Sequence, residues 1–410
     1  MTNSQSEAPG RAGAGDHRAA VLAGFLGWTL DAFDFFLVVM CLTAIGREFH
    51  KSDKEMALVY FVTLLFRPVG AFIFGLMADR WGRRLPLMLD LVFYSIVEVL
   101  SGLAPNFTTF LALRALFGIG MGGEWGVGAS LAMEKVPPRL RGLLSGLLQQ
   151  GYAAGYLLAA VCYFFLFGRF GWRPLFFIGG LPALLAVFVR YRVKESEVWE
   201  KTRSKTWGEL GKSILGHWKL FLYIMVLMTG MNLASHGTQD MYPTFLERQW
   251  HFRPEQRAVL SGFSMVGAIL GGTLCGLFSD WWGRRRAMIV ALLAAVLVVP
   301  LWAFAPSIAL LWAGAFLMQF LVQGAWGVVP AHLSELSPDS VRGFLPGFGY
   351  QCGVAISGLV SYLEASIAGR TGYATAMAVV AASVFLLAAA ATAAGKERRA
   401  TRFGEQPAAV

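Results

Sequence analysis

The sequence contains little charge. Only 15% of its 410 residues are Asp, Glu, Lys or Arg, and 56% are hydrophobic. Soluble domains carry about 25% charged residues, so this composition excludes an ordinary soluble domain and indicates an integral membrane protein. The formal net charge is +10, but the basic residues lie mostly in short segments between apolar stretches. A membrane explains this charge better than nucleic acid does, and we predict no nucleic-acid partner.

Cysteine is also scarce, and its spacing excludes two kinds of site. Each of the four cysteines, Cys41, Cys162, Cys275 and Cys352, falls in an apolar stretch far from the others. Neither a disulfide framework nor a zinc site has such spacing, so we predict packing roles for them, with no metal and no cofactor. We also expect no cleavable signal peptide, because residues 1–18 are polar and lack a basic segment leading into a short apolar core.

Long apolar stretches dominate what is present. About 20 mostly apolar residues are needed to span a bilayer. The sequence offers twelve such stretches: 19–46, 57–79, 85–104, 108–133, 141–167, 172–192, 218–247, 257–279, 286–304, 307–335, 342–368 and 372–394. The chain is therefore predicted to be an all-α integral membrane protein with twelve transmembrane helices.

One connection differs from the others in length and charge. The segment between the sixth and seventh stretches is polar and basic, whereas most connections are short. We interpret it as a linker between two domains. The predicted organisation is a polar tail (1–18), an N-terminal six-helix bundle (19–192), a cytoplasmic linker (193–217), a C-terminal six-helix bundle (218–394) and a second tail (395–410).

Lysines and arginines are distributed unequally between the two sides of the predicted membrane. With both termini on the inner side, 24 of the 35 basic residues lie inside and 9 lie outside. Basic loops stay in the cytoplasm. We therefore predict a multi-pass protein of the cell inner (plasma) membrane with both termini cytoplasmic.

The second half of the sequence repeats the first after a shift of 201 residues. Residues 75–84 fall on residues 276–285, and residues 125–126 fall on residues 326–327. Two six-helix units of the same orientation are related by an axis along the membrane normal, and the substrate site then lies between them near the bilayer midplane. We expect two pseudo-symmetric bundles with a central site.

The longest repeated segment resembles the signature loop of the major facilitator superfamily, Gly-x-x-x-Asp-Arg-x-Gly-Arg-Arg. The first copy, with Asp79 and Arg83, matches in full; the second, with Asp280 and Arg284, has Trp281 where an arginine is expected. A carboxylate at a helix end can meet arginines and helix N-termini. We predict that these loops gate one side of the membrane, besides setting the topology.

Two further features bear on the direction of transport. Arg114-x-x-x-Gly118-x-Gly120 resembles a second superfamily motif, in which the arginine is proposed to assist proton movement. Proton-coupled exporters of the superfamily usually carry a Gly-Pro pair in the fifth helix, whereas residues 151–155 contain no proline. Import with protons is therefore expected rather than export.

Charged residues inside apolar stretches are costly and by default functional. Asp31 and Asp34 lie three residues apart and so on one face; Arg67 lies near the middle of the second stretch, and Glu124 lies among glycines in the fourth. We predict that these four residues line the path of substrate or protons. The alternatives are a fixed ion pair of Arg67 with Asp34 or, less favoured, with Asp31, and a hydrogen-bonded packing role for Glu124.

The seventh stretch holds a polar stripe. Helical spacing puts Asn232, His236 and Gln239 or Asp240 on one face, which must meet a cavity or another helix rather than lipid. A histidine can hold or pass a proton near neutral pH, and a carboxylate one turn away favours its protonated form. We predict that this stripe handles substrate and protons, the alternative being a structural histidine.

The same stripe resembles a subfamily pattern. Jen-type monocarboxylate permeases, in the sialate/lactate proton symporter group, carry Asn-x-x-Ser/Thr-His-x-Ser/Thr-Gln-Asp-x-x-x-Thr. The sequence matches every fixed position, with Asn232, Ser235, His236, Thr238, Gln239, Asp240 and Thr244. The resemblance implies proton coupling, lactate or pyruvate as substrate, and a part for these residues in both.

Paired glutamines complete the candidate site. Gln150 and Gln351 occupy equivalent positions of the repeat, where they could hydrogen-bond a carboxylate or hydroxyl of the substrate. Hydrogen bonding between helices is the alternative.

Together these observations predict a monomeric proton symporter that imports a small organic acid anion such as lactate or pyruvate. A larger acid, such as sialate or an aromatic acid, stays open, as do a drug/proton antiporter and a non-transporting sensor. No zinc or nucleophile constellation indicates an enzyme.

Overall fold

The computed structural model describes residues 13–204 and 206–404, and no strand occurs in these ranges. Twelve helical elements cross the molecule. They are α1 (Gly13–Glu48), α2 (Asp53–Trp81), α3 (Arg84–Gly102), α4 (Phe107–Lys135), α5 (Arg141–Gln149 and Gly151–Cys162, continuing to Phe170), α6 (Arg173–Ile178 and Pro182–Arg192), α7 (Trp218–Gln239 and Tyr242–Trp250), α8 (Pro254–Trp282), α9 (Arg284–Ala303), α10 (Ile308–Leu336), α11 (Leu345–Ser357 and Val360–Thr371) and α12 (Tyr373–Ala394). The twelve predicted helices are therefore confirmed.

Four of these elements are interrupted, which the apolar pattern does not indicate. The interruption of α7 follows from Pro243, which lies in the first turn of its second segment. Proline fits the first turn of a helix but disfavours helical geometry in the residue before it. The predicted continuous helix 218–247 thus ends at Gln239 and resumes at Tyr242, which places Asp240 at the break.

Ten of the helical elements in the described ranges are long and apolar enough to cross a membrane by length and hydropathy alone; α4 and α11 are not among them. The reason is clear for α4, in which nearly every residue from Phe117 to Glu134 is buried. A helix enclosed by other helices presents little surface to lipid, so it can carry glycines and charged side chains.

The first and last described residues and the linker lie on one side of the molecule, here called the terminal face. α6 ends at Arg192 and α7 begins at Trp218, with short helices Glu197–Thr202 and Trp207–Gly216 between them. α1 begins at Gly13, so part of the predicted tail 1–18 is helical, while residues 1–12 lie outside the described ranges. Of the predicted second tail, residues 395–404 are described.

The two halves are in tight contact in the part of the molecule near the terminal face. A Cβ at Gly126 of α4 would lie 2.6 Å from the Cα atom of Gly347 in α11, and a Cβ at Gly146 of α5 would lie 2.4 Å from the carbonyl oxygen of Gly272 in α8. Ser145 donates a hydrogen bond of 2.7 Å to the carbonyl oxygen of Gly327 across the same boundary. Backbones approach this closely only where side chains are absent, so the molecule is closed on this side.

Candidate functional site

A cavity of about 480 Å³ lies between the halves on the side away from the terminal face. Its walls come from both halves and include many rings: Phe35, Phe36, Tyr60, Tyr152, Tyr156, Tyr242 and Trp302. Polar groups are contributed mainly by α7, with His236, Gln239 and Asp240, and by Gln319 of α10. We call this space the outer cavity.

A smaller pocket of about 40 Å³ lies deeper, near the middle of the molecule. Arg67 reaches it from α2, midway between Asp53 and Trp81, and Gln149, Asn232, Ser235, His236 and Gln323 supply further polar atoms. This space, the inner pocket, adjoins the outer cavity, because Phe35, Tyr152 and His236 line both.

Aromatic rings line the inner pocket toward the terminal face. Tyr350 packs against Trp125 with 4.6 Å between ring centroids, and Trp28 and Trp326 lie within 6.4 and 5.7 Å of it. Such contacts stabilise a rigid wall. A molecule in the inner pocket is thereby separated from the close glycine contacts between the halves.

Arg67 presents free hydrogen-bond donors at this pocket. Tyr350 hydrogen-bonds the guanidinium, but Nε and Nη2 of Arg67 have no partner among the described residues. The side chain is 5% exposed. Unpaired donors of a buried cation are costly, so this position is suited to a ligand with acceptor oxygens.

The structure does not pair Arg67 with Asp34. Asp31 interacts electrostatically with Arg67, whereas Asp34 interacts with Glu98, Asp31 and Arg114. The oxygens of both aspartates lack hydrogen-bond partners within the described ranges. The fixed ion pair considered from the sequence is therefore absent for Arg67 and Asp34, because α1 turns Asp34 toward α3 and α4.

Glu124 lies behind the inner pocket rather than in it. A Cβ at Gly27 of α1 would come within 2.1 Å of Glu124 Oε1, so the carboxylate rests directly against that helix. It interacts electrostatically with Asp31 and Arg67. Glu124 is thus linked to the pocket through these two side chains.

The polar stripe of α7 faces the two cavities as its spacing predicts. His236 Nδ1 lies 3.2 Å from Asp240 Oδ2, and Gln239 Nε2 donates to Gln319 Oε1 at 2.9 Å. Asn232 donates to the carbonyl oxygen of Met228 at 2.7 Å and retains its side-chain oxygen for the inner pocket. The stripe therefore brings one histidine–carboxylate contact and two amides to the boundary between the halves.

The paired glutamines lie elsewhere. Gln150 donates to the carbonyl oxygen of Gly146 at 3.2 Å, and Gln351 donates to that of Gly122 at 3.5 Å. Neither lines the outer cavity or the inner pocket. Only the Gln351 bond joins two helices, α11 and α4, as the alternative expects; the Gln150 bond lies within α5. The chain neighbours Gln149 and Tyr350 line the inner pocket instead.

Asp79 joins the halves at the terminal face. Its carboxylate accepts hydrogen bonds from the backbone N–H groups of Gly343 and Phe344, just before α11, at 2.8 and 2.9 Å. Arg83 contacts the same carboxylate at 2.6 Å and Glu134 at 2.9 Å. Donors at a helix start favour a negative charge, so Asp79 binds the opposite half.

Asp280 makes the equivalent contacts from the C-terminal half. It accepts from the backbone N–H groups of Gly142 and Leu143 at 2.8 and 3.0 Å. Arg284 contacts Asp280 at 2.8 Å and Glu335 at 2.9 Å. The Trp281 departure from the signature loop leaves this arrangement intact.

Two further ion pairs cross between the halves. Arg141 lies 2.9 Å from Glu335, and Arg342 lies 3.4 Å from Glu134. The two signature loops and these pairs together form what we call the gate network.

Several residues at these sites are not singled out by the sequence. Gln319 and Gln323 lie four residues apart in an apolar stretch, a signal that could have identified them. Asp90 is fully buried in α3. It is a charged residue inside an apolar stretch, the same signal that singles out Asp31 in the sequence. Glu195 and Glu397 each accept from two successive backbone N–H groups at the start of α3 and α9, and nothing in their local sequence indicates this.

Comparison with known families identifies the fold. The family model described as Major Facilitator Superfamily matches residues 24–252. The chain belongs to this superfamily. A second model, described as Sugar (and other) transporter, matches residues 227–395. The protein is therefore a multi-pass membrane transporter rather than an enzyme.

Curated relatives extend over most of the chain. It is 29% identical to the carboxylic acid transporter protein homolog of Saccharomyces cerevisiae over 92% of its length and 67% of that protein. It is 30% identical to the probable 4-methylmuconolactone transporter of Cupriavidus pinatubonensis, covering 84% of this chain and 82% of the relative. It is 27% identical to the sialic acid transporter NanX of Escherichia coli, covering 88% and 90%.

The fold also resembles solved structures. The proton:xylose symporter XylE superposes with a TM-score of 0.76 at 18% identity, covering 95% of this chain and 98% of that one. At this identity the likeness shows the shared twelve-helix architecture.

The gate network generates a prediction. Asp79→Asn removes the charge that binds two backbone N–H groups and Arg83. We therefore expect the free energy that favours the closed terminal face over an open one to fall by about 2 kcal/mol. A cysteine at Ser145, in a variant whose four natural cysteines are serine, should then react faster with a maleimide.

Asp280→Asn should have the same effect, because its contacts are equivalent. Glu255→Gln, an exposed charge at the opposite side of the molecule, serves as the control. Labelling at Ser145→Cys that is equally slow in all three variants would refute the gating role.

Proposed function

We propose that the protein imports a small monocarboxylate, such as lactate or pyruvate, together with protons by alternating access. The main support is the state of Arg67. It is a buried cation with two unpaired donor nitrogens, Nε and Nη2, in a pocket that also presents amide and hydroxyl groups. A guanidinium binds a carboxylate through two parallel hydrogen bonds. Gln149, Asn232 and Gln323 provide donors and acceptors for a neighbouring hydroxyl or keto oxygen. The names of the relatives, which include carboxylic acid and sialic acid transporters, support an organic acid.

Asp31 supplies the proposed coupling to protons. It competes with the substrate carboxylate for Arg67, since both are anions near one guanidinium. When Asp31 takes up a proton, Arg67 becomes available to the substrate; when the substrate leaves, Arg67 favours ionised Asp31 again. Substrate and proton therefore bind together and are released together.

The His236–Asp240 pair is the proposed entrance for both ligands. It borders the outer cavity and the inner pocket, and the break in α7 places Asp240 at the end of the helix. A protonated imidazole attracts an anion, and it can pass its proton inward.

The gate network accounts for the proposed alternation. We propose that the protein lies in the cell inner (plasma) membrane with both termini in the cytoplasm. The outer cavity then opens away from the cytoplasm, and the conformation described is the outward-open one. Rocking of the halves would separate Asp79 and Asp280 from their N–H donors and open the cytoplasmic side. One chain holds both cavities, so we propose a monomer as the functional unit.

A planar or aromatic acid is the second candidate. The outer cavity has far more room than lactate requires, and aromatic side chains from both halves line it. Rings of this kind bind flat unsaturated molecules by stacking, and one relative is named as a probable 4-methylmuconolactone transporter.

Uptake into proteoliposomes tests the proposal. Labelled lactate or pyruvate should accumulate when an inward proton gradient is imposed, because the proton and the anion enter together. Sialate and benzoate, offered as unlabelled competitors, distinguish the substrate classes: strong inhibition by benzoate alone would favour the second candidate.

The control uses vesicles treated with a proton ionophore, which collapses the proton gradient. Accumulation that persists in full after the gradient has been collapsed would refute proton coupling, whichever acid is carried.

Arg67 gives a residue-level prediction. Arg67→Lys keeps the charge but loses the two-pronged geometry, so we expect KM for the acid to rise about tenfold or more, as for a charge-assisted hydrogen bond. Arg67→Gln should abolish saturable uptake.

Arg257→Lys, which alters an exposed pair with Glu247, is the matched control. A KM for Arg67→Lys equal to that of the control would show that Arg67 does not bind the substrate carboxylate.

A further inference from the structure

The N-terminal half contains more buried carboxylates than the inner pocket uses. On α3, Asp90, Tyr94 and Glu98 follow one another at four-residue spacing and share a face, and all three are completely buried. This face is directed into the bundle: a Cβ at Gly120 of α4 would lie 2.5 Å from Tyr94 Cβ. A polar face is thus enclosed among helices of one half.

Glu124 and Asp31 extend this face from α4 and α1. Asp90 interacts electrostatically with Glu124 and with Asp31. Arg67 from α2 also interacts electrostatically with Glu124 and Asp31. α6 also packs on α3, but within the described ranges it brings no charged side chain to Asp90. The groups that face Asp90 are therefore two carboxyls and the phenol of Tyr94.

The hydroxyl of Tyr94 points into this cluster. It interacts electrostatically with Asp31, Asp34, Glu124 and Asp90, and it has no hydrogen-bond partner within the described ranges. The carboxylate oxygens of these four residues likewise lack partners there. Buried carboxyls without hydrogen-bond partners lower the cost of burial by holding protons, and a hydroxyl among them can accept from one and donate to the next.

The cluster occupies the middle of the N-terminal half. At one end Glu98 pairs with Arg114 at 2.7 Å, and Arg114 lines a small space that shares Phe35 and Tyr60 with the outer cavity. At the other end Asp90 lies about 9 Å along the helix from Arg84, the first residue of α3, at 1.5 Å per residue.

We propose that Asp90 and Tyr94 form the inner part of a proton path through the N-terminal half, which leads from Asp31 past Glu124 to the terminal face. The proton would leave beside the gate network, while the substrate leaves between the halves. In each transfer one carboxylic acid gives its proton to a neighbouring carboxylate, either directly or through the Tyr94 hydroxyl, which accepts one proton as it donates another. Asp90 finally releases its proton to solvent water at the terminal face and is left ionised. The path rests on the proposed proton coupling, since it has no task in an uncoupled transporter.

Asp90→Asn tests this path. We expect net uptake driven by a proton gradient, and acidification of the vesicle lumen caused by substrate, to fall at least about tenfold. Exchange of labelled for unlabelled acid at equal concentrations requires no net proton movement, so it should stay within about twofold of the unaltered protein. Asp90→Glu should restore net uptake, and Tyr94→Phe, which removes only the hydroxyl, should slow it while leaving exchange intact.

Three outcomes would overturn the path: normal net uptake in both Asp90→Asn and Tyr94→Phe, equal loss of net uptake and exchange, or no recovery in Asp90→Glu. If Asp90→Asn does not fold, Tyr94→Phe and Asp90→Glu decide the question. Failure of the proposed function is a separate result, because the unaltered protein would then show no dependence on the gradient.

A second inference comes from the segment after α12. Its backbone binds the gate network from the terminal face: Ala400 N–H donates to Glu335 Oε1 at 3.1 Å, and the carbonyl oxygen of Thr401 accepts from Arg141 at 2.9 Å. The ring of Phe403 lies 3.8 Å from the guanidinium carbon of Arg141 and 3.7 Å from that of Arg342.

Phe403 therefore contacts one arginine from each half. Both arginines belong to the ion pairs that cross between the halves, so opening of the terminal face must separate them. A ring between two cations is stabilised by both. We infer that residues 395–404 act as a strap that favours the closed terminal face.

Phe403→Ala should raise the rate of maleimide labelling at Ser145→Cys by about fivefold, the effect of removing two cation–π contacts. Phe403→Tyr keeps the ring, so the cysteine at position 145 should be labelled at the same rate as with Phe403 present. Phe170→Ala, which removes an exposed ring elsewhere, is the control. Unchanged labelling in Phe403→Ala, or the same increase in Phe170→Ala, would overturn the strap.

Discussion

A charge enclosed in a membrane protein needs a counter-ion, hydrogen-bond donors or a proton, and this constraint separates the molecule into two regions. At the terminal face eight side chains of the gate network each have an oppositely charged partner within 3.4 Å: Asp79, Arg83, Glu134, Arg141, Asp280, Arg284, Glu335 and Arg342. In the N-terminal half, Asp31, Asp90 and Glu124 have none in the described ranges. Satisfied charges hold one arrangement, whereas unsatisfied ones are ready to exchange a proton or bind a ligand.

The two halves divide these tasks unequally although they share one architecture. Asp31 and Asp34 on α1 correspond in the repeat to Asn232 and Ser235 on α7. The charged face is enclosed within the N-terminal half, while its neutral counterpart lines the inner pocket. The two copies of the repeat thus share the helix arrangement and the signature loops. They differ at the polar faces of α1 and α7, where we propose that protons and substrate bind.

The sequence predicts the frame of this structure better than its site. Hydrophobic length predicts the twelve helices, and the repeated loop motif singles out Asp79 and Asp280, which join the halves, because each signal lies within a short segment. The choice of Gln150 over Gln149 shows the limit: one residue turns a helical side chain by about 100°, and the interruption of α5 after Gln149 alters that phase. The break in α7 and the cluster around Tyr94 depend on contacts between distant segments, which no single stretch reveals.

The hydrogen-bond donors that Asp79 and Asp280 use belong to the main chain. Every residue except proline carries such a donor, so Leu143 and Phe344 can be replaced without losing the bond. Gly142 and Gly343 cannot, because a Cβ at Gly142 would lie 2.3 Å from the carbonyl oxygen of Gly276, and one at Gly343 would lie 2.8 Å from Asp79 Oδ1. The carboxylates have no such freedom. Each contact is therefore expected to require an acid on one side and a glycine on the other, while the residue after the glycine is free to vary.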